Sequence, residues 1–288
     1  MSGYIDAALY VIIASVTFVL LTKISSTIDP VVSLFFLSAT ALVCFNFLGF
    51  KSFTKTYKAM FANLPVSITM SMALGLDWVF MLFASINSDP FIAMGTIFIT
   101  LAILGFINLF KTTHKVSYLF SICILFFCMV LLAVFYNIVN YSHKYLGISF
   151  GILAGISFYF YIVYSNKLSK KANMNPIQIL SLRFWALFIG SIFFLPDSTM
   201  FIIRCKFIEL VTISIFSLVI PIFFNQRALQ KLGPDRASVF FCLVPPTTYI
   251  FYSIFNNTFI FINILICIMI TTALVIPKLL EIKDKYIQ

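Results

Sequence analysis

Pro221 to Pro246 reads PIFFNQRALQKLGPDRASVFFCLVPP: an apolar helix running to Arg227, a polar joint with Gly233 and Pro234, then a second apolar helix interrupted by Pro245 and Pro246. About 144 residues earlier the chain carries a related pattern, FASINSDPFIA from Phe83 to Ala93, against RALQKLGPDRA from Arg227 to Ala237. Ala84 falls on Ala228, Pro90 on Pro234 and Ala93 on Ala237. A second register agrees with the first, because Asp29-Pro30 and Asn175-Pro176 each open an apolar run after a polar joint, as residues that end one helix and start the next should. The chain therefore reads as two related halves, residues 1-145 and 146-288.

Composition sets the environment. At 62% hydrophobic, 10% charged and a mean hydropathy of +1.08, the chain has too little polar surface to cover a soluble globule of 288 residues. Its apolar runs are long and continuous, which excludes barrel strands alternating at period two. The expected fold is an all-α integral membrane protein of ten transmembrane helices, near 4–22, 30–50, 61–86, 90–110, 116–136, 146–166, 176–196, 207–228, 234–255 and 259–279. No cleavable signal follows the first run, so that run is expected to remain as a helix.

The net charge of +10 does not point to nucleic acid, since the basic residues stand singly between apolar runs and form no patch. They mark topology instead. With the N-terminus inside, fourteen lysines and arginines fall in inside joints, among them Lys51, Lys55, Lys58, Arg227 and Lys231, and four fall outside: Lys23, Lys144, Arg204 and Lys206. That bias puts both termini in the cytoplasm. An odd number of crossings per half makes the second half enter from the opposite face, so the two five-helix repeats are inverted. The chain is expected in a plasma membrane, the inner membrane in a bacterium, as a monomer. Cys44, Cys123, Cys128, Cys205, Cys242 and Cys267 show no CxxC or Cys/His spacing and read as small, reduced, apolar residues.

Ten spans in two halves, Arg183-Phe184 in the seventh span, and Ala228-Leu229, Leu232-Gly233, Ala237-Ser238 and Pro245 across the eighth and ninth together resemble the drug/metabolite transporter superfamily, specifically its EamA-like ten-helix transporters. The first half departs from the pattern, with Leu101 opposite Pro245 and Leu37-Ser38 where the seventh span has Arg183-Phe184. The resemblance implies a central cavity lined by the third, fourth, eighth and ninth spans, with the first, second, sixth and seventh as moving gates. It also implies export or exchange of small metabolites such as amino acids.

Several residues stand out for their chemistry. Asp77 lies deep in the third span beside Trp78, and a carboxylate at that depth costs about 2.5 to 3.5 kcal/mol, so it should face protein or water. Two readings are open: a contact for a solute ammonium or coupling proton, or an ion pair with Arg183 that joins two helices. Arg183 could clamp a carboxylate or phosphate with its planar fork, or reach back to the interface as an anchor. Thr96, Thr100 and Asn108 share a face of the fourth span, and Asn225 and Gln226 end the eighth; such groups line a site or satisfy neighbouring helices. Gly147, Gly151 and Gly155 form a small-residue face for close helix approach, followed by Tyr159, Tyr161 and Tyr164, which read as cavity lining or interfacial belt. Pro245 and Pro246 remove backbone donors inside a span and read as a hinge.

No Gly-rich Lys-Ser/Thr loop is present, and His114 and His143 fall in joints, so neither ATP hydrolysis nor an enzyme is expected, and no cofactor or metal. The reading that results is secondary active transport of a small, amino-acid-like metabolite by alternating access, with the bilayer and a coupling proton as further partners. The alternative is a structural or accessory membrane protein, or a lipid facilitator, without a closed solute site.

Overall fold

The computed structural model of the chain describes residues 2–25, 28–88, 90–109, 115–135, 144–197, 199–257 and 259–287; Asp89, His114 and His143 lie outside them. Among the described residues the chain is helical and has no strand. A backbone in hydrocarbon must satisfy its amides and carbonyls internally, and a helix does so within each segment. The helices are α1 Ser2–Ser25, α2 Pro30–Leu48, α3 Phe53–Ala62, α4 Leu64–Asn87, α5 Pro90–Leu109, α6 Lys115–Phe135 and α7 Lys144–Lys171. They continue with α8 Pro176–Arg183, α9 Trp185–Ile192, α10 Thr199–Ser214, α11 Ile220–Leu232, α12 Pro234–Phe241, α13 Val244–Asn256 and α14 Phe261–Ile287.

The two joints that set the sequence register are built alike. Asp29 caps α2 by accepting from the amides of Val31 and Val32 at 2.8 and 3.3 Å, with Pro30 in the first turn. Asn175 caps α8 through a reciprocal pair with Gln178, each bond 2.9 Å, and Pro176 follows it. In both, proline gives up an amide that would have had no helical partner. Gly233 closes α11 at φ +82°, a conformation only glycine adopts without strain, and Pro234 starts α12 directly after it.

Among the described residues eight helical stretches are long and apolar enough to cross a membrane, and two shorter apolar ones occupy residues 176–192 and 261–274. Three of the expected spans depart from ideal helix. The seventh is split between α8 and α9 at Phe184. The eighth, which ends at Leu232, follows a kink at Lys206 and contains a π-helical turn at Ile215–Val219, just ahead of Pro221, which cannot donate to the carbonyl four residues back. In the ninth, Pro245 and Pro246 deprive the carbonyls of Phe241 and Cys242 of their i+4 donors. The amides of Cys242 and Leu243 turn to carbonyls three residues back, and α13 begins afresh at Val244.

By contact the chain forms two compact units, Met1–Val79 with Phe160–Gly233, and Phe80–Tyr159 with Pro234–Gln288. Each draws on both sequence halves, so the units and the halves are different divisions of the chain. In the first unit α1 runs along α11, α2 packs on α8, α9 and α10, and α3 rests on α8. In the second, α5 packs on α6, α12 and α13, and α14 packs on α6 and α13.

The break at Phe184 is stitched from outside its own helix. Ser71 of α4 donates to the carbonyl of Arg183 at 3.0 Å and accepts from the amide of Ala186 at 2.9 Å, replacing ladder bonds lost at the break. Ser71→Ala should therefore lower stability by roughly 1–3 kcal/mol, the cost of leaving buried backbone groups unpaired. Thermal unfolding of the purified protein measures this, and an unchanged Tm would show that the break holds itself.

Candidate functional site

The first unit holds a buried polar cluster around Arg183, which α8 presents from its last turn and which is only 2% exposed. Its guanidinium carbon lies 4.5 Å from the ring centre of Tyr161 and 4.8 Å from that of Phe184, so the cation sits against two aromatic rings. Nη1 donates to the Tyr161 hydroxyl at 2.6 Å, and that hydroxyl donates to Oε1 of Gln226 at 2.7 Å. Ser165, one helical turn after Tyr161, bonds both ends of the Gln226 amide at 2.9 and 3.1 Å. The arginine is thus held in plane and orientation by a relay from α7 to α11.

Two atoms of this region are left over. Arg183 Nε and Asn225 Oδ1 are buried and have no hydrogen-bond partner among the described residues. Nearly all buried polar atoms are paired in folded proteins, so a charged donor edge kept free is a feature to explain. The fork of an arginine is complementary to a carboxylate or phosphate, and Nε belongs to one of its bidentate edges.

Asp77 on α4 is also buried in this unit, and Met70 and Ala73, which share its helix face, are buried with it. Among the described residues no ion pair within 4.0 Å joins Asp77 to Arg183, although the two charges interact at longer range, and Tyr10 of α1 interacts with both. The close structural pair that the sequence left open is not formed. Trp78, next to Asp77, is half-buried. Arg183 is buried within the protein, as are Tyr159 and Tyr161.

In the second unit Thr96 donates to the carbonyls of Ile92 and Ala93 at 3.0 Å each, its own helix taking up its hydroxyl. Thr100 Oγ1 has no partner among the described residues. The glycine face of α7 packs on α5 and the turn before it: Gly147 faces Ser88, Gly151 faces Thr96, and Gly155 faces the Ile97 carbonyl and Thr100. Asn108 donates to the Tyr159 hydroxyl, which donates to Asp235 at 3.0 Å, tying α5, α7 and α12 together.

Reading the sequence missed four contributors. Tyr10, Ser165 and Ser71 are single polar residues within apolar runs; spacing could have flagged only Ser165, which lies four residues after Tyr161 on one face. Asp6, the fourth, is a buried carboxylate on α1 that pairs with Lys231 at 2.5 Å and Arg227 at 3.5 Å, joining α1 to the end of α11. In the sequence those two cations mark only the inside face.

Comparison with known proteins adds a family match for the second part of the chain. Residues 145–276 match the model of the EamA-like transporter family. A solved crystal structure of a protein is similar over 97% of this chain and 97% of its own, with a TM-score of 0.69 and 14% sequence identity, a likeness that shows the fold alone. No curated protein matches the chain in sequence. Residues 145–276 are therefore an EamA-like domain, a match that supports membership of the drug/metabolite transporter superfamily of membrane transporters.

Proposed function

We propose that the chain is a secondary active exporter or exchanger of a small, amino-acid-like metabolite, working by alternating access between two inverted five-helix repeats. Ten crossings, both termini in the cytoplasm, a bacterial inner membrane and a monomeric state belong to this proposal. The observation that carries it is Arg183, a buried cation fixed by Tyr161, Gln226 and Ser165 with its Nε edge unpaired, in the part of the chain that matches a transporter family. In this reading Arg183 takes the carboxylate of the solute, Asp77 takes its ammonium or the coupling proton, and Trp78 and Asn225 flank them. Tyr161 and Gln226 act by positioning Arg183. Thr96 serves packing and Thr100 keeps a free hydroxyl for lining. Pro245 and Pro246 supply the hinge.

The test is flux of mixed labelled amino acids into proteoliposomes, with and without a pH gradient. Saturable flux is expected, and Asp77→Asn should abolish its response to the gradient or reduce it at least about tenfold, the usual scale of losing one charged hydrogen bond. Absence of saturable flux across the panel would remove the transport reading, and an unaltered Asp77→Asn profile would remove Asp77 from it.

A further inference from the structure

Between the second and third expected spans lies a segment that the transport reading does not use. Phe50–Ser52 forms a 3-10 turn, α3 follows from Phe53 to Ala62, and α4 starts two residues later. Ten residues of helix extend about 15 Å, half of a hydrocarbon core of about 30 Å. This helix lies between two spans and is too short to be one, which places it at a face of the membrane.

Its sides are sorted by chemistry. Thr56 is buried and donates to the Ser52 carbonyl at 2.8 Å, and Tyr57 is fastened by its hydroxyl, which accepts from Trp185 Nε1 at 3.1 Å and donates to Asn46 Oδ1 at 3.0 Å. These contacts hold one edge of α3 against the first unit. Three phenylalanines then remain outward, Phe50 at 76% exposure, Phe53 at 44% and Phe61 at 66%. At 100° per residue Phe53 and Phe61 lie about 80° apart, and Lys58 and Lys55 follow on the adjoining arc, about 60° and 120° beyond Phe61, both exposed, as is Lys51 in the preceding turn. No acidic residue occurs from Gly49 to Asn63.

We propose that Phe50–Ala62 is an interfacial helix that binds anionic phospholipid, its phenylalanines set among acyl chains and Lys51, Lys55 and Lys58 on the headgroup phosphates. The occupant follows from charge and shape together. Exposed aromatic rings bordered by an arc of lysines suit a helix lying in the plane of a bilayer surface, where the rings enter the acyl boundary and the long lysine stems reach the headgroups. A cluster of three cations with no counter-charge in its own segment selects negative headgroups over zwitterionic ones, and each lysine near such a surface strengthens attachment about fivefold. Since Tyr57 is tied to Trp185 at the start of α9, bound lipid would also brace the span that carries Arg183.

The experiment uses the full chain in micelles containing equal phosphatidylglycerol and phosphatidylcholine, with retained lipid counted by native mass spectrometry. Wild type is expected to keep phosphatidylglycerol preferentially. Replacing Lys51, Lys55 and Lys58 together by glutamine should cut that preference about tenfold or more, and replacing them by arginine should keep it. Phe53→Ser with Phe61→Ser should lower retention of both lipids. Equal retention of the two lipids by wild type would overturn the proposal. So would an equal loss on replacing Lys167, Lys170 and Lys171 by glutamine, because the effect would then be diffuse charge. Binding of an acidic peptide at the same lysines, with no lipid preference, would assign the surface to a protein and overturn it as well.

Discussion

Arg183→Lys should reduce kcat/KM for the transported solute by about 100-fold or more while the protein still inserts and folds. Lysine keeps the charge but has no plane to lie against Tyr161 and Phe184 and no second donor edge. Two aromatic contacts at about 1 kcal/mol each and one charge-assisted hydrogen bond at about 1.5–3 kcal/mol are at stake, which together exceed the roughly 2.7 kcal/mol that a 100-fold change requires. Flux in proteoliposomes measures the rate, and the shift in Tm on adding solute measures binding. Both should be lost in Arg183→Lys. Tyr161→Phe, which removes only the hydroxyl that accepts from Nη1, should show a smaller version of the same defect. Wild-type flux from Arg183→Lys would mean that Arg183 only joins helices.

Gly155→Ala should be among the most destabilising methyl additions in the chain. A Cβ there would stand 2.5 Å from the Ile97 carbonyl and 2.7 Å from Thr100 Cβ, and a backbone oxygen cannot swing aside as a side-chain tip can. Helices α5 and α7 must separate to admit it, at a cost of about 1–3 kcal/mol for overpacking, several degrees in Tm for a chain of this size. Gly190 provides the contrast, since a Cβ there meets nothing within 4 Å. Gly190→Ala should be neutral or stabilising by up to about 1 kcal/mol, the helix preference for alanine. Equal Tm values for the two variants would show that the glycine face of α7 is not a packing face.

These two positions also show what the sequence could and could not disclose. Hydropathy and proline placement located the helices, because bilayer thickness dictates the length of an apolar run and proline tolerates few positions within a helix. The glycine face was legible for the same kind of reason, since three glycines at fourfold spacing have a steric use and little other. Arg183 and Asp77 were legible as costly residues at depth, but not their relation, because a few ångströms in helix depth decides between an ion pair and two separate charges. The stitch by Ser71 and the salt bridge of Asp6 could not be seen at all. Both join residues more than 100 positions apart, and each partner alone is an ordinary polar residue in its segment. Helix α3 is hidden in the sequence because its lysines serve equally well as topology markers in a joint.

The claim on which transport rests is that each half crosses the membrane an odd number of times. With the six native cysteines removed, single cysteines can be placed at Ser2, at Tyr145 and after the last residue, and labelled by a membrane-impermeant thiol reagent from each side. The account predicts that both ends react only from the cytoplasmic face and Tyr145→Cys only from the opposite face. Labelling of Tyr145→Cys from the same side as the ends would contradict the inverted halves.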